Sequence, residues 1–154
     1  MKMENQRLLI YQLDKKIKML KKADESVVPQ SGWIKAIRLA LNMSLKQLSS
    51  RLNVSAQNIN QLEKREKNGT ITLNKLRETA SALNMKFVYG FIPQEGSLEK
   101  MIEKRAIKIA NEIVLRTSHS MKLEDQENLA DRLKQAIKAR ADKIKNEMPK
   151  YLWD

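Results

Sequence analysis

Between Ser55 and Glu63 the chain reads Ser55-Ala-Gln-Asn-Ile-Asn-Gln-Leu-Glu63, a short stretch crowded with carboxamides around two aliphatic residues. If this stretch is a helix, Ile59 and Leu62 share its buried stripe, and Ala56, Gln57, Asn58, Asn60 and Gln61 are left on or near its outer surface. A helix face that only has to be soluble usually carries Glu and Lys. Gln and Asn instead hold a hydrogen-bond donor and an acceptor on one planar group, which matches the N6 and N7 edge of adenine in a DNA major groove.

Positioning such a face requires a second helix and a fixed turn. Ser44 can cap a helix whose Leu45, Leu48 and Leu52 recur at spacings of three and four. Asn53 interrupts the pattern where a helix end needs a residue that tolerates positive φ, Val54 can pack back between the two helices, and Ser55 caps the next one. Upstream, Ser31-Gly32 opens a helix over residues 33–41 with Ile34, Ile37 and Leu41 facing inward and Trp33 as a packing anchor. Downstream, Arg65-Glu-Lys-Asn-Gly-Thr70 reads as a turn built around Asn68-Gly69. Its backbone amides and Lys64, Arg65, Lys67 and Asn68 are placed to meet phosphate. Thr72 then caps a helix over residues 73–83 with Leu73, Leu76, Ala80 and Leu83 toward the core. Four short helices close one small hydrophobic centre.

The 154 residues carry a formal net charge of +12, and its distribution points to a polyanion. Residues 31–93 hold ten Lys and Arg against three Glu, a balance of +7, whereas residues 94–154 carry only +2. Four Gly and three Pro favour an all-α chain, and zero Cys excludes disulfides and thiolate metal sites. The sequence offers no membrane span or secretion signal, so a soluble, cytoplasmic protein is expected, nucleoid-associated when bound. His119 is the only histidine, so no metal site, cofactor or catalytic triad is expected, and the chain gives no case for an enzyme.

From Ile34 to Leu83, and above all in Met43-Ser-Leu-Lys-Gln-Leu-Ser-Ser-Arg-Leu-Asn-Val-Ser55 and Ile59-Asn-Gln-Leu-Glu63, the sequence closely resembles the helix-turn-helix domain of phage-repressor-like, XRE-type regulators. The resemblance implies that Ala56, Gln57 and Gln61 occupy base-reading positions with Asn58 and Asn60 beside them. It also implies that Ser44 and Lys46 grip phosphate, joined by Ser55, and that Arg38 and Glu63 form a structural ion pair. Ala56 stands where some relatives carry Gln, so the helix alone leaves the operator sequence open.

Outside this region, residues 4–22 predict a helical arm with Leu9, Leu13, Ile17 and Leu20 as a narrow stripe and Lys15, Lys16, Lys18, Lys21 and Lys22 around its other faces; residues 23–30 read as a linker. Residues 84–93 alternate Phe87, Tyr89 and Phe91 and predict one short strand. Its mate is expected in a second copy, giving a homodimer on palindromic double-stranded DNA. A C-terminal helical hairpin completes the expected fold, one helix over residues 98–116 with Met101, Ile102, Ile109, Ile113 and Val114, and another over 123–147 with Leu129, Leu133, Ile137 and Ile144. The expected organisation is an arm and linker over 1–30, a DNA-binding domain plus strand over 31–93, and a dimerisation or partner-binding region over 94–154.

Nearly the whole chain, from Gln12-Leu-Asp14 through Ser31-Gly-Trp-Ile-Lys-Ala-Ile-Arg38, Gly69-Thr-Ile-Thr-Leu73 and Phe87-Val-Tyr89 to Gly96-Ser-Leu-Glu99, Leu123-Glu-Asp-Gln126 and Leu152-Trp-Asp154, looks like the family named mobile mystery protein A. That resemblance implies a bacterial regulator encoded beside a Fic-domain protein, an arrangement similar to an antitoxin with its toxin, and the expected function is a repressor that regulates its own operon. An inhibitor that masks the Fic enzyme through its terminal helices is the alternative. Ser120 and Glu124 carry the spacing of a Fic-inhibitory motif except at its last position, where Asp125 replaces Gly or Asn.

Overall fold

Ser44 starts its helix with a reciprocal cap: its hydroxyl accepts from the Gln47 backbone N–H at 3.1 Å, and its own N–H donates to Gln47 Oε1 at 2.8 Å. Such local rules set most of the elements in the computed structural model, which describes residues 2–23, 27–118 and 126–154. Among the described residues there are seven α-helices: α1 (Lys2–Leu20), α2 (Trp33–Ala40), α3 (Leu45–Leu52), α4 (Ala56–Asn68), α5 (Leu73–Ala82), α6 (Leu98–Ser118) and α7 (Gln126–Glu147), with a terminal 3₁₀ turn, Lys150–Trp153. The chain divides into two compact units, Ala23–Gly90 on one hand and Met1–Lys22 with Phe91–Asp154 on the other.

In the unit Ala23–Gly90, α3 ends on Asn53 in the left-handed conformation (φ 58°), and Val54 folds back with its N–H on Ser49 O at 3.0 Å. Ser55 caps α4 by accepting from the Asn58 N–H at 3.2 Å. Ile34, Leu48, Ile59, Leu62 and Leu83 form the core, with Ile37, Met43, Leu45, Leu52, Val54, Ile71 and Leu76 among the side chains packed against it. Three residues expected to pack are exposed, among them Trp33, 44% exposed at the first position of α2. Leu41 is 54% exposed because it lies past the end of α2, and Leu73, 44% exposed, sits at the first position of α5, beyond the edge of the core. Thr79 is buried in the α5 stripe instead, its hydroxyl donating to Lys75 O at 2.7 Å.

Two carboxylates of α4 reach back to α2. Arg38 donates to Glu63 through Nε at 2.5 Å and Nη2 at 3.2 Å, and its Nη1 donates to Met43 O at 3.0 Å, so this buried guanidinium serves both the partner helix and the turn after α2. Glu66 accepts from the backbone N–H groups of Trp33 at 2.7 Å and Ile34 at 2.9 Å. It thereby caps a helix whose own N-cap, Gly32, has no side chain to offer. Gly32 is favoured by its φ of 85°, and a Cβ there would lie 2.9 Å from the Glu66 carboxylate, which would have to shift from its place on the α2 N–H groups.

The strand expected over residues 84–93 does not form. Met85 N–H closes on Ala80 O at 2.8 Å, and the backbone beyond it is irregular, with no strand anywhere among the described residues to complete a ladder. The aromatic side chains still associate without that pairing: the Phe87 and Tyr89 rings stack at 6.0 Å and 15°, and Arg77 lies 5.8 Å from the Tyr89 ring centroid.

The other unit is built on α6 and α7, whose core holds Ile102, Ala106, Ile109, Ala110, Ala141 and Ile144 together with Leu152 of the terminal turn. The alanines permit close approach of the helices. From α1, Ile10 packs on this cluster, while Leu9 and Leu13 of the expected stripe are 57% and 47% exposed, because the helix is rotated toward the Ile10 side. Asp14 of α1 caps α6, accepting from Leu98 N–H at 2.7 Å and Glu99 N–H at 3.2 Å, and Ser97 accepts from Lys100 N–H at 3.1 Å. Arg105 donates to Leu152 O at 2.6 Å and to Asp154 O, which fixes the closing residues. Lys145 pairs with Glu99 at 2.9 Å, and that hydrogen bond, opposed by burial, raises the lysine pKa. The pair therefore contributes in full below the ordinary lysine pKa, and its contribution is lost as pH rises through the folded value.

Arg38→Ala leaves the Glu63 carboxylate buried without its mate and is expected to cost about 3–5 kcal/mol, read as a lower urea midpoint. The double variant Arg38→Met/Glu63→Leu is expected to lose less than Arg38→Ala. Asp14→Ala removes a helix cap and is expected to cost about 1 kcal/mol in the same measurement.

Candidate nucleic-acid interface

The buried face of α4 is Ile59, Leu62 and Glu63, which fixes what it presents outward. Gln57, Gln61, Lys64 and Asn68, at spacings of four, three and four, form one exposed line along the opposite face, with Asn58 and Asn60 exposed on its flanks and Ala56 half-buried. None of the side-chain amides of Gln57, Asn58, Asn60 and Gln61 is hydrogen-bonded to another described residue, so their donors and acceptors face solvent.

Charge on this surface is one-sided. The two carboxylates of α4 are turned inward, Glu63 onto Arg38 and Glu66 onto the start of α2. Glu78, the remaining acid between residues 31 and 93, pairs with Lys75 at 3.2 Å. Around the carboxamide line the exposed groups are cations: Lys46 in the first turn of α3, and Lys64, Arg65 and Lys67 on α4. Ser44 and Ser55 stand at the N-termini of the two helices. In each, the oxygen accepts from the backbone and the hydroxyl proton remains to be donated outward.

The turn expected after Glu63 is displaced. Helix α4 continues to Asn68, since Lys64-Arg-Glu-Lys67 contains no breaker, and Gly69 ends it with φ 74°. Lys64, Arg65, Lys67 and Asn68 are thus helical. The backbone amides expected to meet phosphate are consumed in closing the helix: Gly69 N–H donates to Glu66 O at 3.1 Å, and Thr70 and Ile71 N–H donate to Arg65 O at 2.9 and 3.2 Å. The groups left open to a phosphate there are the side chains, not the backbone amides.

Sequence reasoning placed Glu66 in the turn after Glu63 and gave it no role of its own. The one signal was Gly32, an N-cap with no side chain to accept from the first turn, and it does not say which residue supplies the acceptor. Phe87, Tyr89 and Phe91 lie in the irregular segment after α5, with Tyr89 and Phe91 59% and 85% exposed. Ser120 and Glu124, together with His119, lie outside the described residues. Among the described residues no helix is long and apolar enough to cross a membrane.

Residues 34–89 match the helix-turn-helix family model, a family of DNA-binding regulatory domains rather than of enzymes. Neither a curated protein nor a solved structure matches the chain. The matched span runs from the first residue buried in α2 to the stacked aromatics after α5, and it contains the capped α3–α4 pair with its outward carboxamides. Residues 34–89 are a helix-turn-helix domain of the XRE type, and the chain carries further helices on both sides of it.

Proposed function

We propose that the protein is a sequence-specific transcriptional regulator, a repressor, that lays α4 in the major groove of double-stranded DNA. The observation that carries this is the outer face of α4, where exposed uncommitted carboxamides are flanked by cations while the acids of that helix point inward. Gln57 and Gln61 read base edges, with Ala56, Asn58 and Asn60 beside them. Ser44, Lys46, Ser55, Lys64, Arg65, Lys67 and Asn68 hold phosphates.

A regulator of this kind acts as a homodimer on a palindromic operator. The exposed Tyr89, with Phe87 stacked on it, in one unit and the exposed Phe91 in the other are each apolar contacts for the second copy. The antitoxin-like pairing with a Fic-domain protein rests on the whole-chain resemblance. Within that pairing the DNA-binding role is favoured over direct enzyme inhibition, since the helix-turn-helix match supports it.

Gln57→Ala and Gln61→Ala are each expected to weaken binding to the operator by about 1–3 kcal/mol while sparing salt-driven binding to random duplex. A mobility shift on the chain's own upstream region, at fixed salt and with and without the adjacent gene product, checks this. Equal losses on random duplex would show that these residues are not readers. Sedimentation at micromolar concentration is expected to find a dimer that Phe91→Ser weakens.

A further inference from the structure

One side of the α6–α7 hairpin is open. Lys145 pairs with Glu99 near one end and Asn111 faces Lys134 at the other, so the two helices run antiparallel and hold between them a groove of about 400 Å³. Its floor is apolar, made by the buried Ala106 and Ala141 and the half-buried Ile137. Ile107 stands at its lip, 43% exposed and outside the core cluster to which Ala106 and Ile109 belong. An open apolar floor between two helices is the shape that receives the apolar stripe of a third.

The two ends of this groove carry opposite charge. At one end the carboxylates of Glu99, Glu103 and Asp142 all act on a single ammonium, that of Lys145. At the other end are Lys134 and Lys138, one turn apart on α7, both exposed and in no ion pair among the described residues. Lys134 lies roughly 12 Å from Asp142 along the helix, two turns of rise. The carboxylates that line the groove, Glu103 and Asp142, are both at the first end.

This polarity limits what can fill the groove. Nucleic acid, anionic throughout, would meet Glu103 and Asp142 with like charge. A second copy of this chain is no better matched. Helix α1 has Leu9 and Leu13 exposed, yet it places Lys2 and Arg7 around Glu4 at one end and Lys15, Lys16 and Lys18 at the other, so neither end is acidic.

We propose that the groove docks an amphipathic α-helix of another protein, with carboxylates at one end and cations about two turns away. Its apolar stripe lies on Ala106, Ile107, Ile137 and Ala141, its carboxylates meet Lys134 and Lys138, and its cations meet Glu103 and Asp142. Burial on the floor supplies affinity, and the charged ends fix the direction and register of the guest. This docking is independent of the role given to α4.

The probe for the test is a designed helical peptide with a leucine stripe, glutamates at one end and lysines two turns away. One control carries lysines at both ends, and another has serines in place of the leucines. Added to the isotope-labelled full chain, the probe is expected to shift the resonances of Ala106, Ile107 and Ala141, with each control binding at least about tenfold more weakly. Lys134→Glu/Lys138→Glu is expected to reverse the order and prefer the peptide with lysines at both ends, a reversal that a merely structural role for these lysines would not produce. Ile107→Asp is expected to abolish binding of the probe. Equal affinity for every peptide, no shift at the groove, or an unchanged preference in the double lysine variant would overturn the proposal. It would also be overturned if random duplex DNA shifted the groove residues and the probe did not, or if the probe left them unmoved and Ile107→Asp abolished self-association, which would give the groove to a second copy.

Discussion

The contacts between the carboxylates of α4 and helix α2 set the character of the helix-turn-helix domain. Glu63 meets the Arg38 guanidinium in a forked pair, and Glu66, one turn on, accepts two backbone N–H groups at the start of α2. A charge buried this deeply is tolerated only when its lone pairs are used, and here they are. The result is geometric and electrostatic at once. Helix α4 is tethered at two points to the helix it crosses, and its negative charge is withdrawn from its outer face.

That withdrawal shapes what the surface can do. DNA presents a dense row of phosphates, so on the proposed reading an acid on the outer face of α4 would repel it, whereas neutral amides with cations at the margins would suit both the bases and the backbone. The caps contribute as well. Ser44 and Ser55 fix where α3 and α4 begin, and Asn53, in its left-handed conformation, sets the angle between them. The same residues that end and start helices thereby decide which side chains project outward.

Much of this was readable from the residues. The spacing of Leu45, Leu48 and Leu52, the break at Asn53, and Ile59 with Leu62 specified the two-helix unit, since local caps and periodicity act over a few residues. The errors lay where the deciding partner is distant or missing. Leu41 and Leu73 have the right type and spacing for the core but stand at helix ends, beyond the neighbours that would cover them. Residues 84–93 have strand-forming composition, yet a strand exists only with a ladder, and the described residues supply none. Glu66 and Asp14 cap helices far along the chain, with sequence separations that no local pattern reveals. The close packing of α6 on α7 depends on Ala106, Ala110 and Ala141, residues that a search for large apolar stripes does not count.

The most direct test of the central claim follows the side-chain amide resonances of Gln57, Asn58, Asn60 and Gln61 while an operator duplex is added to the isotope-labelled full chain. The account predicts that these resonances shift with the first equivalents of DNA, along with the backbone amides of Ser44 and Lys46. Shifts confined to residues 98–147, with the four carboxamides unmoved, would contradict it.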